Sequence, residues 1–137
     1  MQLESEARLS EAGFTEIRPV TQSQRDGAYI VAFEARRRDE QVLAAFGYEL
    51  EDGAVLDVGA LQLRLQQAPP DARSPWLALG GWADLDSESR ALVGKVKDAS
   101  LSTCRVVSTL GETQIPIVHG LVLGWVPVGV RYRLAFS

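Results

Sequence analysis

Between Ala28 and Gln66 the chain alternates apolar and polar residues with a period of two, and this pattern restricts the fold more than any other feature. Tyr29, Val31, Phe33 and Ala35 oppose Ile30, Ala32, Glu34 and Arg36. Val42, Ala44, Phe46, Tyr48 and Leu50 share one side of the next segment, and Leu61, Leu63 and Leu65 alternate with Gln62, Arg64 and Gln66. A period of two belongs to strands with one face in a core. Asp52-Gly53 between the second and third segments is a hairpin signal, because glycine accepts the positive φ of a tight turn. Arg37–Glu40 supplies the preceding connection. These three segments predict an antiparallel meander.

Residues 2–12 read as a short helix with Leu3, Ala7 and Leu9 or Ala12 near one face and Gly13 as its stop. The segment after it, Phe14 to Pro19, reads as a strand. Ala68 to Pro75 carries three prolines, which forbid helix and sheet interior alike, so 68–75 is a loop and the one candidate subdomain break in an otherwise single domain spanning 1–137. Trp76–Leu79 reads as a strand stopped by Gly80-Gly81. Two readings compete from 84 to 97. Leu85, Leu92, Val96 and Ala99 fit one face of a helix capped by Asp84 or Asp86, and this reading is adopted; alternatively Arg90–Lys97 is a strand that turns at Asp98-Ala99-Ser100 into Ser102–Leu110. Gln114–Leu123 and Val126–Phe136 then read as strands around a turn near Gly124. The expected class is α+β and mainly antiparallel, with an all-β barrel or sandwich as the alternative.

Composition narrows function by exclusion. Fourteen basic residues against 18 acidic ones leave a net charge of -4, the wrong sign for a nucleic-acid surface. Cys104 is the only cysteine, so no intramolecular disulfide is expected. The start Met1-Gln2-Leu3-Glu4-Ser5-Glu6 is acidic and polar, unlike a secretory signal, and a cytoplasmic location is expected. The most apolar stretch, Ile115–Val130, is broken by Pro116 and Pro127 and does not read as a membrane span.

One histidine and one cysteine leave few catalytic or metal constellations, and no metal or cofactor is expected. His119 reads as a solvent-facing or backbone-bonded strand residue, and Cys104 as a buried thiol beside Val106. Asp84, Asp86 and Glu88 have the alternation of a calcium loop, but Ser89 and Lys95 stand where the glycine and glutamate are required. Neither phosphate-binding glycine pattern occurs. The candidate ligand residues are therefore Arg36, Arg37 and Arg38, whose guanidinium forks suit anions, and Trp76 and Trp82, which bracket Gly80-Gly81.

The stretch Leu9-Ser10-Glu11-Ala12-Gly13-Phe14-Thr15-Glu16-Ile17, with Asp26-Gly27-Ala28-Tyr29-Ile30-Val31, resembles the helix-then-hairpin opening of PepSY domains, over about a third of the chain. Lys97-Asp98-Ala99-Ser100-Leu101-Ser102-Thr103 resembles the D-x-S-x-x-G stretch of PilZ domains, which implies a cyclic dinucleotide. Thr103 stands where that motif has glycine, and no R-x-x-x-R precedes it. No family is assigned on these likenesses. The function expected first is a non-enzymatic assembly module that binds itself or another protein through the apolar strands of Ile115–Val130. The second is a domain for a small anionic or nucleotide-like ligand, near Arg36–Arg38 or near Asp98–Arg105, and an enzyme of unknown class is third.

Overall fold

A computed structural model describes residues 2–65, 73–83 and 88–137. The chain divides into two compact units, Met1–Gln66 and Gln67–Ser137. Five of the positions in the proline-rich loop expected at 68–75 lie outside the described residues.

The first unit opens with helix α1 (Gln2–Glu11), which turns Ser5 and Leu9 into the core. Its end is a complete Schellman motif. Gly13, at φ +90°, donates to the Ser10 carbonyl, and Phe14 donates to the Leu9 carbonyl, both at 3.1 Å. Leu9 and Phe14 then join the same core cluster, the hydrophobic contact that accompanies this cap.

Four strands follow: β1 (Thr15–Arg25), β2 (Ala28–Arg37), β3 (Glu40–Glu51) and β4 (Ala54–Arg64). They form a meander in the order β1-β2-β3-β4, every pair antiparallel. The expected three-stranded meander is present and gains β1, which continues through Pro19 at a bulge instead of ending there. Pro19 is tolerated because β1 is an edge strand and a bulge leaves its missing donor unneeded. Val31, Phe33, Ala35, Val42, Ala44, Phe46 and Tyr48 share the core with Leu9 and Phe14. The Phe33 and Phe46 rings meet edge to face, with centroids 6.2 Å apart. Ser5 and Tyr48 close a buried hydroxyl–hydroxyl hydrogen bond from helix to sheet. On the opposite sheet face Ile30, Ala32, Leu43 and Ala45 are also buried.

The regular elements among the described residues of the second unit are strands: β5 (Trp76–Ala83), β6 (Ser89–Val96), β7 (Thr103–Ser108), β8 (Gly111–Val118), β9 (Leu121–Pro127) and β10 (Tyr132–Phe136). One sheet runs β10-β7-β8-β9-β6-β5. It rolls over its own core, because β8 pairs with β7 along Gly111–Pro116 and then with β9 along Ile117–Val118. The outermost strands meet through Trp76 and Phe136, whose rings are 5.4 Å apart and nearly perpendicular. Leu92, Val96, Cys104, Val106, Ile115, Ile117, Val122 and Val126 fill the interior.

The expected second helix near 84–97 is not formed where the chain is described: Ser89–Val96 is strand β6, and 84–87 lie outside the described residues. β6 is central, paired with β9 on one side and β5 on the other, and side chains on both of its faces are buried. Such a strand loses the polar alternation that distinguishes it from a helix face. Gly80-Gly81 lies inside β5 and does not stop it. The C-terminal turn is at His119-Gly120, both at positive φ, whereas Gly124 is mid-strand. At Gly124 a Cβ would come within 2.6 Å of the Ile115 side chain, so a larger residue forces Ile115 to move. The described residues are therefore mainly antiparallel β with one short helix.

Candidate functional site

A concave site lies on the first unit. A cavity of about 380 Å³ is lined by Glu16, Ile17, Arg18, Glu34, Ala35, Arg36, Gln41 and Leu65. Its floor is set by register. Glu34 and Arg36 are two apart on β2 and so share a face, and Gln41 on β3 stands opposite Arg36. A bulge in β1 between Thr15 and Arg18, with Glu16 at φ +52°, brings two further charges over this end of the sheet. A glutamate in the left-handed region is uncommon, and such local strain persists only where the surroundings hold it.

The four charges alternate. Arg36 Nε lies 3.4 Å from Glu16 Oε2, and Arg18 Nη2 lies 3.8 Å from Glu34 Oε2. Both pairs are loose and partly exposed, which makes them weak in water and exchangeable with a ligand's own charges. Glu34 is the most enclosed of the four side chains, at 20% exposure against 74% for Arg18. No lining residue is aromatic.

The three arginines expected to act together are separated. Arg36 lines the cavity, while Arg37 points to the opposite face, with its guanidinium carbon 4.6 Å from the centre of the Phe14 ring. Arg38 occupies the hairpin turn at φ +57°. Consecutive strand residues face opposite ways, so a run of arginines on a strand divides itself. Trp76 and Trp82 belong to the second unit. Trp76 packs inside the rolled sheet against Phe136, and Trp82 stands opposite Ala91 on β6 in a half-buried position. Glu16, Arg18, Glu34, Gln41 and Leu65 were not singled out from sequence. The alternation alone places Glu34 beside Arg36, but the bulge that brings Glu16 and Arg18 to them has no local signature.

The remaining candidates have structural explanations. Asp98 Oδ1 accepts hydrogen bonds from the Ser100 N–H at 3.0 Å and the Ser100 hydroxyl at 2.6 Å, and these hold its carboxyl below the usual range. The Asp-x-Ser stretch is thus an Asx turn leading into β7. His119 is exposed in a turn. Among the described residues no group of three His, Cys, Asp or Glu side chains is arranged to hold a metal ion. No described helix is long and apolar enough to cross a membrane.

Cys104 is fully buried and unpaired, and desolvation raises its thiol pKa. A raised pKa favours the neutral thiol in the folded state. Its contribution is therefore complete below the unfolded-state pKa and is lost as pH rises through the folded-state value. Cys104 is expected to resist thiol reagents in the native protein and to react at once in denaturant. A Cys104→Val variant is expected to lose less stability than the native chain above about pH 9, checked by urea melts at two pH values. Equal alkaline losses in both proteins would refute this.

No family model, no curated protein and no solved structure matches this chain. The PepSY and PilZ likenesses therefore have no wider match behind them.

Proposed function

We propose that the protein is a non-enzymatic binding module whose cavity beside Arg36 takes a small zwitterion, such as an amino acid, with a carboxylate and an ammonium group. One observation carries the reading: a concave site in which two arginines and two glutamates alternate. An incoming carboxylate displaces a glutamate from its arginine, and the ligand's ammonium takes up the glutamate so released. A simple anion offers the displaced carboxylate no cation in exchange, which disfavours it. A nucleotide-like ligand fits less well, since no aromatic ring is present to stack its base. The volume lies at the small end of ligand pockets, where an amino acid is accommodated.

Assembly through the C-terminal strands has weaker support. Leu121, Val122, Leu123, Trp125 and Val126 are buried within the chain, leaving Val118 and Val128 as the exposed large apolar residues of that stretch.

A thermal-shift series with glycine, L-glutamate, L-lysine and inorganic phosphate tests the proposal. At ten times Kd an amino acid is expected to add about 1.4 kcal/mol and several degrees of Tm. Arg36→Ala and Glu34→Gln each remove the shift, whereas Arg38→Ala leaves it intact. No response to any amino acid at millimolar concentration, or an equal response to phosphate, would reject the reading.

A further inference from the structure

We infer that the free edge of β4 is a self-pairing surface, through which a second copy of this chain adds its own β4 antiparallel. β4 is an outer strand of its sheet. The Leu65 N–H donates to the Gln41 carbonyl of the β3 side at 3.0 Å. Backbone groups alternate in direction along an antiparallel strand, so Leu63 and Leu61 also face β3. Ala60, Gln62 and Arg64 then turn their N–H and C=O groups outward. These three residues are exposed.

The other outer strands have the features that block pairing. β1 contains Pro19 and two bulges, and β5 and β10 have only eight and five residues. β4 is 11 residues long without proline and rich in Val and Leu, and past its one bulge the run Ala60–Arg64 is regular and free of glycine.

The occupant follows from the charge pattern. Gly59 pairs with Gly47 and Asp57 with Tyr48, so Val58 is the extra residue of a bulge. Counting past it, Asp57 shares a face with Ala60, Gln62 and Arg64. A second β4 laid antiparallel about a two-fold axis at Leu61 sets Ala60 opposite the copy's Gln62, where each residue exchanges both backbone hydrogen bonds. The same register sets Asp57 opposite the copy's Arg64 at both ends. The strand is complementary to itself, as a two-fold interface requires. Asp57 and Arg64 now make loose pairs with Arg8 at 3.7 Å and Glu40 at 3.4 Å, with side chains about two-thirds exposed, and both are free to turn.

Light scattering of the full chain from about 1 to about 500 µM tests this, the upper end reaching weak, small interfaces. The expected mass rises with concentration from 14.9 kDa towards twice that value. Gln62→Pro removes an outward N–H that the monomer's own sheet does not use. It is expected to stay monomeric with an unchanged far-ultraviolet circular dichroism spectrum. Asp57→Lys places like charges opposite Arg64 at both ends and is expected to weaken the dimer about tenfold. Combining it with Arg64→Asp restores association. The inference is overturned by a native chain that stays monomeric throughout, or by a dimer that keeps its affinity in both single variants. Should Gln62→Pro fail to fold, the charge-swap series decides alone. This result is independent of the cavity, because neither Asp57 nor Gln62 lines it.

Discussion

Replacing Gly81 with alanine is expected to abolish the native second unit. A Cβ at this position would lie 2.0 Å from the carbonyl oxygen of Ala91 and 3.1 Å from its carbonyl carbon. The obstructing atoms are backbone of β6, the strand between β5 and β9, and Ala91 is itself buried. Relief therefore requires β5 to leave β6, which breaks a ladder running from Trp76 to Ala83. A cost above about 4 kcal/mol is expected, a large share of the stability of a unit this size. Gly94→Ala is expected to be less severe. There the closest obstruction is the Trp76 ring, 2.4 Å from the added carbon, which can tilt, and the nearest backbone atom, the Ala78 carbonyl oxygen, is at 3.0 Å against 2.0 Å at Gly81. All three tryptophans, at 76, 82 and 125, lie in this unit, so their emission reports on it directly. A Gly81→Ala protein with native emission and a Tm within about 2 °C of the parent would show that the strands do not approach this closely.

Phe33→Ala is expected to have the corresponding effect on the first unit. Phe33 is fully buried at the centre of β2 and meets Phe46 edge to face. Removing a buried phenyl costs about 3–5 kcal/mol, and more where neighbours cannot collapse into the space. Collapse is restricted here because the facing residues belong to three hydrogen-bonded strands and to a helix tied down by the Ser5–Tyr48 bond. Phe33→Leu keeps most of the volume and is expected to cost about 1.5 kcal/mol or less. The first unit contains no tryptophan, so the measurement is amide hydrogen exchange along β1–β4. Native-like protection of those amides in Phe33→Ala would contradict the packing described.

The two largest effects fall on residues of opposite legibility. Phe33 was identifiable from sequence because its neighbours alternate and Asp52-Gly53 defines the hairpin beyond it. The meander, the helix start and the buried thiol were readable for the same reason, that each depends on a few adjacent residues. Gly81 was misread as a stop because glycine in a sequence reports conformational freedom and says nothing of a neighbouring backbone. The residues from Ser89 to Val96 were read as helix because a strand buried on both faces has no polar side to betray it. The arginine run looked like one site, yet strand alternation sent Arg37 to Phe14 and left Arg36 at the cavity.

By itself the sequence determined where the strands of the meander lie, that Asp52-Gly53 reverses them, and that histidine and cysteine are scarce, although β2 and β3 are buried on both faces and not on one. Those properties depend on period, turn chemistry and composition, all of them local. Only the tertiary structure decided which glycines another strand presses against, and which charges meet across the bulge in β1. It also decided which strands lie at the edges of each sheet. These depend on register between segments far apart in the chain, and a shift of one residue reverses every side chain while leaving the local pattern unchanged.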